Sequence, residues 1–228
     1  MLSHNPTDNV MPPSDDVRNI NTWSINTVNE FLELINEDNL YSAVNLAYRT
    51  GMRVNEVSAL RWEDIDFKNH LIKVRHNMAE SKSILLLEEP KTKNSKRDID
   101  VDDDTIKWIN SIKLPQQEIN LALPEDLKIN FEYVCSWNDG RPFSPMYITK
   151  SFTRLVKNHS DKFKKITFHG LRHSHASILF QEGISSNVIS KRLGHSRTSI
   201  TDDIYIHIKP QMQKEAAKVF GEAIKKAK

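Results

Sequence analysis

Residues 167–207 read TFHGLRHSHASILFQEGISSNVISKRLGHSRTSITDDIYIH and contain a high concentration of reactive side chains. His169, Arg172, His195 and Tyr205 occur here in an arrangement that a hydrophobic core does not require. His169 and Arg172 are three residues apart, so a helix would place them on one face. At the start of a helix, free backbone N–H groups also favour an anion. The stretch therefore predicts an anion-binding site carried by helices.

Apolar spacing around these side chains predicts a mainly helical segment. Helices are expected over residues 167–183, 186–194 and 198–205, because capping residues or glycines mark several of the ends and apolar residues recur at helical spacing. After Pro210 the pattern QMQKEAAKVFGEAIKKAK predicts a further helix with an apolar stripe and a basic back. Tyr205 would then lie on a short helix that the chain could move.

Upstream of this segment, the same signals predict three helices followed by a sheet. The helices fall within residues 24–35, 40–50 and 54–60, and Gly51 ends the second of them. After Trp62 the chain changes to short extended pieces, IDF, LIKV, SILLLEE and RDIDV, which indicate antiparallel strands with polar turns. The predicted fold class is α+β, mainly helical, with a small antiparallel β-sheet near the N-terminal half.

The region between the sheet and the reactive segment is less regular. Residues 102–112 predict a helix, because aspartates at its start supply a cap and a favourable charge for the helix dipole. Residues 113–131 show no clear pattern. YVCSW at 133–137 predicts a short buried strand, and a Ser-Pro pair opens a helix over residues 144–157.

The composition excludes several classes of protein. A single cysteine, Cys135, cannot form an internal disulfide or a cysteine-rich metal site, which favours a reducing compartment. The polar N-terminus has no apolar signal core, and no run approaches the length of a membrane span. We therefore expect a cytoplasmic protein.

The net charge of +2 hides an asymmetry along the chain. Residues 1–140 contain 15 Lys and Arg against 24 Asp and Glu, a net charge of −9. Residues 141–228 contain 17 against 6, a net charge of +11. A half this basic suits a polyanion such as nucleic acid, although a basic solvated surface explains the charge alone equally well.

The reactive side chains suit the chemistry of a phosphodiester. A tyrosine such as Tyr205 can attack a phosphate and form a stable ester, but its unperturbed pKa of about 10 means that it needs help to lose its proton. Guanidinium groups such as that of Arg172 stabilise the charge that grows on the phosphate oxygens. A lysine or a histidine can donate a proton to the leaving oxygen.

Each of these residues has an ordinary explanation when it is taken alone. Arg53 would be a surface or capping residue, His169 a capping side chain, and Tyr205 part of the core. His169 and His173 stand at positions i and i+4 and could hold a metal, but no clear third ligand accompanies them. The ordered occurrence of all the reactive residues is what favours a site.

Three motifs together resemble the catalytic boxes of the tyrosine recombinases, the integrases of phages and transposons. HGLRHSHAS, then LGH, then a tyrosine ten residues later match one part of that pattern, and RTGMRVNEVSALRWEDIDF matches the first arginine box. KTKNSKR is similar to the β-hairpin segment that carries the family's lysine. The likeness covers about residues 24–208. It implies a tyrosine-recombinase catalytic domain that integrates or excises a mobile element by site-specific DNA cleavage and rejoining.

The resemblance also implies a role for each matching residue. Arg53 and Arg172 would clamp the scissile phosphate. His169 and His195 would hydrogen-bond the phosphate and assist proton movement. Glu56 matches an acidic position that steadies the site around the first arginine.

In the family's reaction, a tyrosine is the nucleophile and a lysine is the proton donor to the leaving oxygen. Tyr205 would form the 3′-phosphotyrosyl intermediate, which a 5′ hydroxyl from another strand then resolves. Lys91 would protonate the leaving 5′ oxygen, although Lys93 and Lys96 stand in the same turn and are alternatives. The resemblance implies no cofactor, neither a metal nor ATP, because the covalent bond keeps the energy of the phosphodiester.

The partner implied by the resemblance is double-stranded DNA. Family members assemble on it as homotetramers, so we expect a homotetramer on DNA, a monomer without it, accessory DNA-bending proteins and no membrane. DNA affinity should be weak and should fall steeply with salt. Further DNA contacts are expected from basic residues near the hairpin turn and the LGH box: Lys93, Lys96, Arg97, Lys191, Arg192 and Arg197.

The chain divides into three parts. Residues 1–22 have no apolar period and are expected to be a linker or a chain end outside the fold. Residues 23–208 would form the catalytic domain, and residues 209–228 a C-terminal helix that packs on its own domain or docks on a neighbouring subunit. Family members usually carry an N-terminal helical domain that grips DNA from the opposite side. We therefore expect an isolated catalytic domain or a piece of a longer integrase.

Other functions fit some of the same residues. A type IB topoisomerase uses the same chemistry to relax supercoils, although the LGH box and the small size favour a recombinase. A DNA-binding module that no longer cuts would keep the basic surface, although the complete residue set argues against it. A metal-dependent nuclease fits least, because no paired carboxylates accompany the histidines.

Overall fold

The structure is a computed structural model that describes residues 21–82, 84–90, 95–195, 220 and 224–225. The strands in these ranges are β1 (Ile65–Asp66), β2 (Leu71–Val74), β3 (Asn77–Ser81), β4 (Ile84–Glu88) and β5 (Arg97–Asp100). The helices are α1 (Ile25–Leu34), α2 (Tyr41–Thr50), α3 (Val54–Ala59), α4 (Asp103–Ala122), α5 (Pro145–Asn158), α6 (Phe168–Gln181) and α7 (Ser186–Leu193). The predicted class, α+β and mainly helical with a small antiparallel β-sheet, is confirmed.

Three of the predicted helix starts, those of α1, α5 and α6, are confirmed by side-chain capping contacts. Ser24 Oγ accepts a hydrogen bond from the backbone N–H of Thr27 at 3.2 Å and begins α1. Ser144 caps α5 and Thr167 caps α6 through the same kind of side-chain contact. These short-range contacts satisfy N–H groups that have no partner within the helix.

Two predicted helix ends are confirmed as well. Gly51 ends α2 and Gly194 ends α7, each in left-handed backbone with φ of 69° and 68°. The helices expected over residues 198–205 and after Pro210 lie in segments that the structure does not describe, apart from positions 220, 224 and 225, which are helical.

The strands form two sheets, not the single sheet predicted. β1, β2 and β5 make a three-stranded antiparallel sheet in the order β1-β2-β5, in which Ile72 pairs with Ile65 and with Ile99. β3 and β4 form a separate antiparallel pair. The sequence-based prediction missed β3, because its residues NMAES include a single buried side chain, that of Met78, and so show no apolar alternation.

The two sheets belong to one long hairpin with arms of unequal length. The outgoing arm passes from β2 to β3 across two residues, Arg75 and His76, whereas the returning arm uses residues 89–96 between β4 and β5. The predicted basic turn, PKTKNSKR, falls in this longer connection and ends on the first residue of β5.

Helix α4 is longer than predicted. The sequence indicated an end three residues before Pro115, but the helix continues well beyond it. An interior proline costs a helix about 3 kcal/mol, so other contacts must hold the second half. Gln116 accepts a hydrogen bond from Trp62 Nε1 at 2.8 Å, and Asn120 exchanges two 2.8 Å hydrogen bonds with the backbone of Ile129. These tertiary contacts override the local signal.

The segment YVCSW at 133–137 does not form the predicted strand. It is buried at its centre but makes isolated bridges, Tyr133 with Arg61 and Ser136 with Pro142. A tight turn follows at once, so a ladder of several residues cannot build up.

The main hydrophobic core lies between α1, α2, α5, α6 and the three-stranded sheet. A small second cluster joins α7 to α6. No helix within the described ranges is long and apolar enough to cross a membrane. The aromatic centre of the main core consists of four rings, with neighbouring centroids 4.9–6.0 Å apart: Trp23, Phe31, Phe152 and Phe163.

Gly51→Ala is expected to destabilise the chain more than Gly183→Ala. Both glycines have positive φ, 69° and 83°, so alanine strains the backbone at either position. A Cβ at Gly51 would also stand 2.5 Å from Leu193 Cδ2 and 2.9 Å from the His175 ring, whereas no described atom lies within 4 Å of one at Gly183. We expect the free energy of unfolding to fall by about 3 and about 1 kcal/mol, measured by urea unfolding. Equal losses would contradict the close approach of α2 to α6 and α7.

Candidate active site

The C-terminal end of α7 is the point on which three arginine side chains converge. The carbonyl groups of residues 192, 193 and 194 each accept a hydrogen bond from a different guanidinium group. Arg97 Nε donates to the first at 2.7 Å, Arg172 Nη2 to the second at 2.6 Å, and Arg53 Nη2 to the third at 3.2 Å. The last carbonyls of a helix lack helical partners and lie at the negative end of its dipole, so cations are well placed there. One helix end therefore organises arginines from β5, α6 and the start of α3.

Arg172 is held between the ends of two helices. Its Nη1 donates to the Gly51 carbonyl after α2, and its Nη2 to the Leu193 carbonyl of α7, both at 2.6 Å. Burial of this residue, which is 1% exposed, and the positive charge of Arg53 lower the pKa of Arg172 well below its ordinary value. Its Nε–H has no hydrogen-bond partner among the described residues. A bound anion would compensate the charge of Arg172.

Glu56 is the acidic partner of these arginines and is 2% exposed. Its Oε1 accepts from Arg53 Nη1 and Arg97 Nη1, both at 2.9 Å. Its Oε2 accepts from the Arg53 backbone N–H at 2.8 Å and from Arg97 Nη2 at 2.9 Å. Burial acts to raise the pKa of Glu56, but the hydrogen bonds and charges of Arg97 and Arg53 outweigh it and lower the pKa to about 2. The carboxylate is therefore ionised at neutral pH.

Arg192 and His175 tie α7 to the surrounding elements. Arg192 Nη1 donates to the Asp100 carbonyl of β5 at 2.8 Å, and its Nε donates to His175 Nε2 at 3.1 Å. His175 is buried, and its Nδ1 donates to the Tyr48 carbonyl of α2 at 2.8 Å, which assigns the proton of the neutral ring to Nδ1. Burial and the charge of Arg192 lower the pKa of His175 to about 3.

Three more histidines lie close to the arginines. The rings of His169 and His173 meet edge to face, with centroids 4.6 Å apart and planes at 82°. His195 follows Gly194 directly, and its backbone N–H donates to the Ser190 carbonyl at 3.0 Å. Burial and neighbouring positive groups lower the pKa of all three rings, to about 4 for His173 and about 3 for His195. All three imidazoles are therefore neutral at pH 7 in the DNA-free protein.

The structure brings five of the residues predicted for the site together. Arg53, Glu56, His169, Arg172 and His195 surround the end of α7, where the arginine charges act on the pKa of both histidines. Four other predicted site residues lie outside the described residues: Lys91, Lys93, Arg197 and Tyr205.

The four remaining residues with expected DNA contacts fall into two pairs. Lys96 and Lys191 are exposed, and Lys96 Nζ pairs with Glu89 at 2.9 Å. Arg97 is buried and Arg192 half-buried, and both guanidinium groups are hydrogen-bonded inside the protein. The expectation of DNA contact therefore does not fit the positions of Arg97 and Arg192.

Sequence reasoning missed the internal contacts of Arg97 and Arg192. A signal for Arg97 was present, because β5 alternates between buried and exposed residues, which puts Arg97 on the same face as the buried Ile99. No local signal was available for Arg192, whose partners come from three other elements.

Comparison with known proteins places this geometry in a family. A family model described as "Phage integrase family" matches residues 22–212. The chain belongs to the phage integrase family. The prediction of a tyrosine-recombinase catalytic domain, made from the arginine, histidine and tyrosine motifs, is confirmed.

Individual relatives in the phage integrase family are similar over most of this chain. The ICEBs1 integrase of Bacillus subtilis is 30% identical over 222 residues, which are 95% of this chain and 58% of the relative. A tyrosine recombinase XerC-like protein of Caldanaerobacter subterraneus subsp. tengcongensis is 27% identical over 217 residues, 89% of this chain and 54% of the relative. The chain thus spans little more than half the length of these relatives.

Solved structures show the same fold. The Tn1549 transposon integrase, in complex with transposon right end DNA, superposes with a TM-score of 0.71 at 23% identity, covering 89% of this chain and 68% of that one. XerA recombinase gives a TM-score of 0.64 at 20% identity, covering 86% and 65%. These likenesses agree with the fold predicted from the sequence.

Acid is expected to destabilise the chain in part through His175. Its folded pKa of about 3 lies below the unfolded value of about 6.5, so between these pH values the unfolded state binds more protons and stability falls as pH drops. Between about pH 7.5 and 5.5 this residue should cost roughly 1 kcal/mol, measured by urea unfolding. In His175→Gln that pH-dependent loss should disappear, whereas His159→Gln, at the C-cap of α5, should retain it. The same pH dependence in both variants would contradict the neutral, buried ring.

Proposed function

We propose that the chain is the catalytic domain of a site-specific recombinase that cuts and rejoins the DNA of a mobile element through a 3′-phosphotyrosyl intermediate. The charge balance at the end of α7 is the observation that carries this proposal. Three guanidinium groups, those of Arg53, Arg97 and Arg172, accompany one buried carboxylate, that of Glu56, which leaves an excess of two positive charges at the helix end. The neutral histidines add none. A phosphodiester is the anion that this arrangement suits.

Arg53 and Arg172 are the two arginines that would hold the scissile phosphate. A guanidinium group has five N–H bonds, and Arg172 uses two of them toward the Gly51 and Leu193 carbonyls. The Arg53 side chain is 34% exposed while it is bonded to Glu56. Because these hydrogen bonds to the protein hold both guanidinium groups in place, their remaining N–H bonds are pre-organised for the charge that develops on the phosphate oxygens.

His169 and His195 would hydrogen-bond the phosphate and carry protons. Burial and the arginine charges lower the pKa of both rings in the DNA-free protein. A phosphate adds negative charge beside them, which raises the pKa and brings titration closer to neutral pH. Proton affinity at the site would in this way depend on bound DNA.

Tyr205 is the proposed nucleophile. Its phenolic oxygen would bond to phosphorus while the bond from phosphorus to the 5′ oxygen breaks, which gives a phosphotyrosyl ester and a free 5′ end. A neutral histidine can accept the phenolic proton, and a lysine can supply a proton to the leaving oxygen. Attack by a 5′ hydroxyl of another strand would reverse the step and rejoin the DNA.

Lys91 is the proposed proton donor, with Lys93 as the alternative. A cleft of about 320 Å³ beside Arg53 supports a lysine of the basic turn in this role. Glu88, which precedes the basic turn, and Ser95, which lies within it after Lys93, line the same cleft. Residues before Lys91 and after Lys93 in the chain therefore lie at the cleft beside Arg53.

The division of the whole chain that we propose follows its sequence pattern. Residues 1–22 would be a linker or chain end, residues 23–208 the catalytic domain, and residues 209–228 a helix that docks on its own domain or on a neighbouring subunit. The protein would act on double-stranded DNA as a homotetramer, with accessory DNA-bending proteins. Besides the arginines at the end of α7, four basic residues would contact the sugar–phosphate backbone of the DNA: Lys93, Lys96, Lys191 and Arg197.

Tyr205→Phe is expected to abolish a covalent protein–DNA adduct. The test uses a pool of nicked duplexes of randomised sequence in EDTA, in which loss of the short cleaved end traps the intermediate. The native chain should give an adduct that survives denaturing electrophoresis, and Tyr133→Phe should give it equally. An adduct that persists in Tyr205→Phe, or none with the native chain, would count against the proposal.

DNA affinity is expected to fall steeply with salt, because phosphate contacts would supply most of it. With about five phosphates neutralised per chain, one at the arginines and four at the other basic residues, the affinity should drop roughly 500-fold between about 50 and 200 mM salt. Fluorescence anisotropy with a labelled duplex measures the change. An affinity that barely changes over this range would contradict binding through the arginine cluster.

A further inference from the structure

Arg97 is 9% exposed, and most of its guanidinium N–H bonds have partners inside the protein. Its Nε donates to the Arg192 carbonyl at 2.7 Å and its Nη2 to Glu56 Oε2 at 2.9 Å. Its Nη1 donates to Glu56 Oε1 at 2.9 Å and to the Ser95 carbonyl at 3.2 Å. Four of its five N–H bonds thus have protein partners. A phosphate could take their place only if a buried carboxylate lost its main partner, which is costly.

The first group that Arg97 positions is the Glu56 carboxylate. The two-pronged contact holds both carboxylate oxygens, each at 2.9 Å from a different guanidinium nitrogen. Glu56 then accepts from the Arg53 side chain at 2.9 Å and from the Arg53 backbone N–H at 2.8 Å. Arg97 therefore determines where Arg53 is held, although the two arginines share no direct hydrogen bond in the described contacts.

The second group that Arg97 positions is the end of α7. Its Nε bond holds the first of the three carbonyls at residues 192–194, and the next two accept from Arg172 and Arg53. His195 follows immediately in the chain. A shift of this helix end would move both phosphate-binding arginines and the histidine together.

The third contact of Arg97 reaches the basic turn. Arg97 directly follows residues 91–96 in the chain, and its Nη1 donates to the Ser95 carbonyl near their downstream end at 3.2 Å. The side chain that fixes Glu56 and α7 thus also fixes the point at which the proposed lysine segment rejoins the sheet.

We propose that Arg97 is a positioning residue for strand cleavage, which touches no DNA and holds Glu56, the end of α7 and the base of the basic turn in the arrangement that receives the scissile phosphate. This inference rests on the proposed recombinase function. It replaces the expectation of DNA contact for this residue with a role inside the protein.

The main test compares Arg97→Met and Arg97→Lys with Arg141→Met as the matched control. Arg141 is exposed and pairs with Asp139 at 2.7 Å. Arg141→Met removes the same positive charge as Arg97→Met. The probe is one nicked duplex recovered from the adducts of the native chain, and two quantities are measured. These are the rate of adduct formation at saturating DNA and the Kd from fluorescence anisotropy.

A positioning role predicts a change in rate without a change in affinity. In Arg97→Met the rate should fall roughly 10- to 100-fold, while the Kd stays within about 3-fold of the native value. Arg97→Lys keeps the charge but cannot make the two-pronged contact, so it should recover part of the rate. Arg141→Met should match the native chain in both quantities.

A second measurement asks whether Arg97 acts through Glu56. If it does, adding Arg97→Met to a chain that already carries Glu56→Gln should lower the rate of adduct formation little further, because both substitutions disrupt the same Arg97–Glu56 contact. The charged and titratable groups that face this carboxylate are Arg53, Arg97, Arg172 and His169. Carboxyl ¹³C NMR of the DNA-free chain should show Glu56 titrating near pH 2, and clearly higher in Arg97→Lys.

Several outcomes would overturn the proposal. A weakened Kd with an unchanged saturated rate would make Arg97 a DNA contact, and native rates in both Arg97 variants would remove its role. If Arg97→Met does not fold, the proposal is tested by the rate of Arg97→Lys and by the NMR titration. A Glu56 titration in Arg97→Lys that is the same as in the native chain would contradict the proposal. If the native chain forms no adduct, the proposed function fails, while the NMR titration still tests whether Arg97 holds Glu56.

Discussion

The structure depends on the hydrogen bonds at the C-terminal end of α7. The carbonyl groups of residues 192–194 need partners from outside the helix, and Arg97, Arg172 and Arg53 supply them. Because these arginines belong to β5, α6 and the start of α3, the same contacts join the sheet to three helices. A structural requirement of one helix end therefore also sets the relative positions of the side chains in the site.

This arrangement concentrates positive charge before any ligand is present. Glu56 and the carbonyl dipoles compensate part of it. Burial, and after it the neighbouring positive charges, lowers the pKa of Arg172 and of His195. A phosphodiester would relieve this excess without a rearrangement of the donors, because the protein already holds them in place. The folded chain therefore contains unfavourable repulsion among its positive groups, and the negative charge of bound DNA would reduce that repulsion.

The parts of this structure that could be predicted from sequence are those fixed by near neighbours. The caps at Ser24 and Thr167 and the left-handed Gly51 depend on a few adjacent residues. Arg97 marks the limit, because an arginine in a basic turn resembles a DNA contact until the fold shows that it faces Glu56, 41 residues away. Strand β3 and the second half of α4 were missed for a related reason, since tertiary partners stabilise them against weak local signals.

The central claim is that Arg53 and Arg172 receive the phosphate, whereas Arg97 and Arg192 hold the site together. The most direct test is to follow the arginine Nε–Hε resonances by NMR while a short DNA duplex is added. We predict that the first two resonances shift with one common Kd. The resonances of Arg97 and Arg192 should change little, because their Nε–H groups already donate to protein acceptors. Large shifts for Arg97 and Arg192 with none for Arg53 and Arg172 would contradict this division of roles.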